Sequence, residues 1–298
     1  MSDNSAGPIA SACSFTLVFA LVGALGVVRA QSQPGQTTPT PPPLPLSPTG
    51  ERGASITPAY EGWFRNPDGS YSLLIGYYNR NRAEALDIPV GPNNRIEPGP
   101  IDQGQPTHFA VGRNWGVFVI KVPADFGTNT VTWTIVSNGE TQTIPFTLNK
   151  MYVVEPYQEA GMGNRPPEFR FAATGPAFAG PPTGAPVSLT GVVNQPIPIA
   201  VVVNDPKETK EGSAASRRGP ATAAVATVSF HKFRGPGQVT FAPQRAPVKA
   251  QGESVSTVAT FSAPGEYLVR VQGNDESGEG GGGFQCCWTN AYVTITVK

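Results

Sequence analysis

Apolar and polar residues alternate between Val131 and Ile135, with Val131, Trp133 and Ile135 on one side and Thr132 and Thr134 on the other. Strand side chains point to opposite faces in turn, so this spacing predicts a strand with one buried face. Similar runs recur along the chain, each bounded by turn residues. Asn66-Pro67-Asp68-Gly69 separates Ile56–Phe64 from Tyr71–Asn79 and predicts a hairpin. Trp115–Val122, Thr130–Ser137 and Thr141–Leu148 come next, and Asn138-Gly139 between the last two suits a tight hairpin turn. Seven more short runs follow: Val187–Val193, Ile197–Val203, Val225–Arg234, Gln238–Phe241, Ser254–Phe261, Glu266–Gln272 and Ala291–Val297.

These runs predict an all-β protein built of two β-sandwich domains. Residues 54–154 hold the first sandwich, with a long polar stretch from Arg80 to Gln105. Residues 187–298 hold the second, whose seven strands match an immunoglobulin-like sandwich. A Gly/Pro-rich linker, residues 155–186, lies between them; its Phe169, Phe171 and Phe178 predict that part of it packs on a neighbouring domain. Two separate cores predict that fragments 54–155 and 186–298 each unfold cooperatively. Asp205–Ala224 carries seven charged residues and no apolar period, so it reads as a mobile surface insertion that trypsin cuts at Lys207, Lys210, Arg217 or Arg218.

The N-terminus differs in character. Ile9–Val28 is uncharged and mostly apolar, and Val28-Arg29-Ala30 offers small residues where a signal peptidase reads. Residues 1–30 therefore read as a signal peptide. Asp3 and the lack of an early basic residue depart from the usual pattern, and an uncleaved membrane anchor or a buried core helix are the alternatives. Residues 31–53 form a Pro-rich linker, with seven prolines between Pro34 and Pro48. An exported location follows: periplasm, cell surface or extracellular space.

Composition supports this picture. The 34 glycines and 32 prolines among 298 residues favour short strands joined by turns and speak against helical bundles. Lys plus Arg and Asp plus Glu both number 21, so no basic footprint for nucleic acid exists. Without the first thirty residues only Cys286 and Cys287 remain, too close to staple a long loop, so the cores must fold by apolar packing.

The second region resembles bacterial polycystic-kidney-disease-type and cadherin-like repeats. The residues that carry the resemblance are His231-Lys232-Phe233-Arg234-Gly235-Pro236-Gly237-Gln238-Val239-Thr240-Phe241, then Thr257-Val258-Ala259-Thr260-Phe261, then Pro264-Gly265-Glu266-Tyr267-Leu268-Val269-Arg270-Val271. It covers about 70 residues and implies an immunoglobulin-like fold used for adhesion, spacing or binding. Pro58-Ala59-Tyr60-Glu61-Gly62-Trp63 and Gly76-Tyr77-Tyr78-Asn79-Arg80-Asn81 resemble exported bacterial proteins that carry both regions, which implies no activity. Independently of either likeness, Tyr267 after Pro264-Gly265 suits a tyrosine corner, ring buried and hydroxyl returned to backbone. Val269 stands where an antibody domain has its cysteine.

Candidate chemistry is sparse. Trp63, Tyr77, Tyr78, Asn79, Arg80 and Asn81 combine rings with polar groups and suit a sugar or a protein partner; a core role for the rings is the alternative. No cofactor is expected; Asn274, Asp275, Glu276 and Glu279 gather oxygens at one end of the second sandwich, where calcium is the alternative although their spacing matches no known loop. The neighbouring Gly278–Gly283 run lacks the Lys-Ser/Thr of a P-loop and reads as a flexible loop. Cys286 and Cys287 read as one buried and one near-surface thiol, as a vicinal disulfide, or as a metal or redox pair. His108 and His231 are the only histidines, no Gly-x-Ser-x-Gly elbow is present, and Glu61, Asp87, Glu97 and Asp102 show no glycosidase spacing. The sequence thus predicts a non-enzymatic module that binds a protein or glycan of the cell envelope. A structural subunit of a surface assembly and a carbohydrate-active hydrolase are the alternatives. Membrane contact is expected only through the N-terminal segment.

Overall fold

A computed structural model describes residues 49–159, 163–172, 174–206, 224–275 and 286–298. All of them fall in one compact unit, Pro48–Lys298. The signal-peptide and Pro-rich readings, the trypsin sites and Gly278–Gly283 lie outside the described residues, as do Glu276 and Glu279.

The first sandwich faces two three-stranded sheets. One orders β1 (Ile56–Arg65), β2 (Tyr71–Asn79) and β6 (Gly112–Val122) side by side; the other orders β4 (Asn94–Glu97), β7 (Val131–Ser137) and β8 (Glu140–Phe146). A short pair, β3 (Leu86–Asp87) and β5 (His108–Phe109), closes one side. The Asn66–Gly69 hairpin forms, and so does the tight turn at Asn138-Gly139, where both residues have positive φ. Leu73, Ile75, Phe118, Trp133, Ile135 and Phe146 fill the space between the sheets. Trp133 is fully buried, and its indole N–H donates to Asn94 Oδ1 at 3.0 Å. β1 bulges at Gly62, where φ is +124° and a Cβ would strike the carbonyl of Tyr152, so only glycine lets that loop lie against the strand.

The second sandwich pairs a five-stranded sheet with a four-stranded one. The larger orders β10 (Val187–Gly191), β17 (Trp288–Val297), β16 (Gly265–Asp275), β12 (Ala226–Arg234) and β14 (Arg245–Val248). The smaller orders β13 (Val239–Ala242), β15 (Glu253–Phe261), β11 (Ile197–Asn204) and β9 (Glu168–Arg170). β10 runs parallel to β17 and the other pairs are antiparallel, an immunoglobulin-like arrangement. In β11, Ile197, Ile199, Val201 and Val203 are buried while Pro198 and Ala200 are exposed, as period two requires. Tyr267 is buried, and its hydroxyl donates to the carbonyl of Ala263 at 2.8 Å.

β9 lies inside the stretch read as a linker. Phe169 on it is fully buried in the second core, and its backbone bonds Phe178 in both directions. A fragment beginning at residue 186 would lack this strand and leave a hole in the core. Such a fragment is therefore expected to be less stable than one beginning near residue 163, measured by urea unfolding of both.

The two sandwiches lie face to face. In β16 every residue from Val269 to Asp275 is buried, because one face meets its own core and the other meets the first sandwich. Arg270, 2% exposed, donates through Nη2 to Asn114 Oδ1 at 2.6 Å. Asn290 Nδ2 donates to the carbonyl of Gly116 at 3.0 Å, and the Tyr292 hydroxyl donates to the carbonyl of Val117. Arg234 forks onto Asp102 with two 2.8 Å bonds. Phe233 and Tyr292, rings 4.8 Å apart, join the core cluster of the first sandwich.

Candidate functional site

β1 carries Phe64 near its end and then turns through Asn66–Gly69 into β2. The segment after β8 returns along β1: Val154 N–H donates to the carbonyl of Trp63 at 3.0 Å. This return leaves Met151, Tyr152, Val153 and Tyr157 facing solvent, with Met151 85% exposed. Exposed large apolar side chains this close in sequence are unusual on a soluble surface.

The strip leads into a groove of about 600 Å³. Phe64, Tyr157 and Val119 line one part of it, and Pro181, Pro182 and Tyr292 another. The Phe64 and Tyr157 rings meet edge to face at 5.6 Å. Burial pushes the Tyr157 hydroxyl pKa up, which favours its neutral form. Lys121 and Asp68 stand at the rim, 2.6 Å apart and both well exposed. An apolar trough with a few polar groups at its edge suits a partner that buries apolar side chains and anchors its polar ones at the rim.

The six residues expected to bind a ligand do not form that site. Tyr77 is buried, its hydroxyl accepts from Ala110 N–H at 2.9 Å, and its ring rests on Phe109 at 5.0 Å. Asn79, Arg80 and Asn81 are buried as well. Asn79 Nδ2 donates to the carbonyls of Glu84 and Phe109, and its Oδ1 accepts from the backbone and side-chain amides of Asn81. Arg80 Nε donates to Thr57 Oγ1 at 2.9 Å, and Asn81 bonds the backbone of Ala54. Asn79 and Asn81 thus satisfy backbone at the strand ends, and all three side chains are buried in the fold. Trp63 is half-buried and donates to the carbonyl of Asn149 at 2.8 Å. Tyr78 is half-buried, with the Arg80 guanidinium 5.9 Å from its ring centre.

Cys286 and Cys287 are joined by a disulfide across a cis peptide bond and are both buried. Among the described residues no group of three or more His, Cys, Asp or Glu could hold a metal ion, and Glu276 and Glu279 of the calcium reading lie outside those residues. Asp275 instead accepts from Asn164 Nδ2 at 2.5 Å.

The four carboxylates weighed for hydrolysis each have a basic neighbour. Glu61 pairs with Arg113 at 2.5 Å and Glu97 with Arg95 at 3.0 Å. Asp87 takes His108 and Lys232, and Asp102 takes Arg234. Burial would raise the Asp87 pKa, but the bonds from His108 and Lys232 outweigh it and hold the carboxyl below its usual range.

His231 faces the first sandwich. Burial, then the charges of Arg270, His108 and Arg245, push its pKa well below 6.5. The folded state thus resists a proton that the unfolded chain accepts. Above about pH 6.5 neither form is charged and there is no cost; below it the unfolded chain gains, so stability falls as pH falls. One such group costs up to about 1.4 kcal/mol per pH unit. We expect His231→Gln to flatten the stability profile between about pH 6.5 and 5, measured by urea midpoints.

No known protein family matches the chain, and no curated protein is similar to it. Among solved structures, the D00-D0 domain of intimin shows 12% identity over 81% of this chain and 100% of that one, with a TM-score of 0.26. Domains 4 and 5 of the S-layer protein SbsC show 11% identity over 61% and 70%, with a TM-score of 0.22. A chimeric titin Z1Z2 shows 12% identity over 82% and 98%, also at 0.22. At these scores the likeness says nothing of what this chain binds. The strand order itself defines the class: an all-β protein of two sandwiches, the second immunoglobulin-like. No helix among the described residues is long and apolar enough to cross a membrane.

Proposed function

We propose that the protein is an exported surface module that binds a protein partner along the Met151–Tyr157 strip and in the groove beside it. One observation carries this reading: the exposed apolar strip runs into the apolar groove, and Tyr157 belongs to both. Rings alone would suit a sugar equally well. Met151 and Val153 do not, because an aliphatic side chain neither stacks on a pyranose nor bonds its hydroxyls, whereas methionine is enriched where proteins meet. Export rests on the apolar run Phe15–Val28.

A photo-reactive side chain placed at position 151 or 157 tests the reading in the producing cell. Positions 192 and 258, also exposed apolar sites, serve as controls. Adducts with one envelope protein at 151 and 157 and none at the controls are expected, and Tyr157→Ala should weaken that binding about tenfold or more. Adducts of the chain with itself would make it a subunit of an assembly. Adducts no stronger than the controls, together with glycan binding, would overturn a protein partner.

A further inference from the structure

We infer that two copies of this chain join edge to edge along β10, related by a two-fold axis at Leu189. This surface is not the Met151–Tyr157 strip, and the inference does not rest on the partner proposed there. β10 ends its sheet and has a neighbouring strand, β17, on one side only. The Gly191 carbonyl accepts from Lys298 N–H at 2.9 Å, and Val193 N–H donates to the Lys298 carbonyl at 3.0 Å. Backbone groups alternate sides along a strand. Those of Val187, Leu189 and Gly191 therefore face β17, and those of Ser188 and Thr190 face outward. No hydrogen bond among the described residues reaches Ser188 or Thr190 from that side, and both residues are exposed.

An open row of N–H and C=O groups is a template for another strand, and folded proteins blunt such edges with charge or proline. The other outer strands of the four main sheets follow that rule. In the second sandwich β9 carries Glu168, β14 carries Pro247, and β13 runs into Pro243. In the first, β1, β4, β6 and β8 each hold a charged residue or a proline. Val187-Ser188-Leu189-Thr190-Gly191 holds neither. Val192, 56% exposed, and Val193 extend it with two more residues of high strand propensity.

A second copy is the occupant that fits this edge. Laid antiparallel across the axis, Ser188 of each copy faces Thr190 of the other, and each facing pair exchanges both of its N–H···O=C bonds. Their hydroxyl side chains then come side by side, a favourable cross-strand pair. An uncharged strand meets its own copy without like-charge repulsion. The whole chain has 21 basic and 21 acidic side chains, so no net charge drives copies apart. The contact joins two five-stranded sheets into one. It is short and buries less than the roughly 1,200 Å² of a stable interface, so the dimer is weak, with a dissociation constant on the order of 0.1–1 mM. Copies held together at a surface reach that concentration.

Sedimentation equilibrium of the whole protein, to about 1 mM, reads the association. Ser188→Lys with Thr190→Lys sets like charges opposite one another and should weaken it about tenfold or more. Ser188→Lys with Thr190→Glu sets Lys opposite Glu and should bring it back to within about threefold of the parent. Both positions are exposed, and urea midpoints check that each variant still folds. In the parent, amide exchange at Ser188 and Thr190 should slow as concentration rises, while at Leu189, whose N–H faces β17, it should not change. A photo-reactive side chain at position 192 should link to a second copy and not to an envelope protein. A parent that stays monomeric to about 1 mM overturns the inference. So does a dimer that is indifferent to the charge pattern, because it pairs through another surface.

Discussion

Replacing Arg270 by alanine should lower stability by about 3–5 kcal/mol and separate the unfolding of the two sandwiches. Its guanidinium bonds Asn114 of the first sandwich and Gln272 and Asn290 of the second, all at 2.6–3.3 Å. Truncation strands those acceptors in a region closed to water, and each buried orphan costs about 1–3 kcal/mol. A cavity adds to the loss. Relief of repulsion on His231 returns part of it, so the His231 pKa should climb in the variant. Arg270→Met separates the contributions: it fills most of the space but leaves the acceptors bare. Urea unfolding followed by circular dichroism and by fluorescence reads the outcome. Coincident transitions in the parent and split ones in Arg270→Ala are expected. A variant within about 0.5 kcal/mol of the parent would mean that the polar interface contributes nothing to holding the sandwiches together.

That interface is where the sequence says least. Period-two alternation marks β11 and β7 plainly, because one face of each strand is apolar. Arg270, Gln272 and Asn290 alternate with Val269, Val271 and Ala291 in the same way, and the rule places them in water. They are buried because a second sheet, from residues more than 150 positions earlier, covers their face. No local signal reports a partner so far along the chain. Asn79 and Asn81 mislead for a related reason: their side chains serve backbone at strand ends, and sequence alone does not distinguish that from a surface role. β9 and β14 hold three and four residues beside glycines and prolines, too short for any period to show. The groove draws Tyr157, Pro181 and Pro182 from what reads as a linker, so its lining is visible only when the fold brings them to Phe64. The tyrosine corner is legible because its signal is local: Pro264-Gly265 fixes the crossover and Tyr267 follows two residues later.

Tyr267 therefore offers a test in which sequence and structure agree on mechanism. Its ring lies 4.6 Å from that of Phe261 and above Gly235, whose added Cβ would collide with it. Tyr267→Phe removes only the bond to the Ala263 carbonyl and should cost about 0.5–1.5 kcal/mol. Tyr267→Ala removes the ring too, opens a cavity against Phe261, and should cost about 3–5 kcal/mol. Gly235 makes the contact itself measurable. Gly235→Ala is strained twice in the parent, by its φ of +126° and by the collision with the ring. In a Tyr267→Ala background the collision disappears and only the backbone strain remains. The two substitutions should then be non-additive, with the double variant less unstable than the sum of the singles by about 1 kcal/mol or more. Additive losses in urea titrations would show that the ring does not rest on Gly235. A Tyr267→Ala variant as stable as the parent would remove the tyrosine from the sheet crossover altogether.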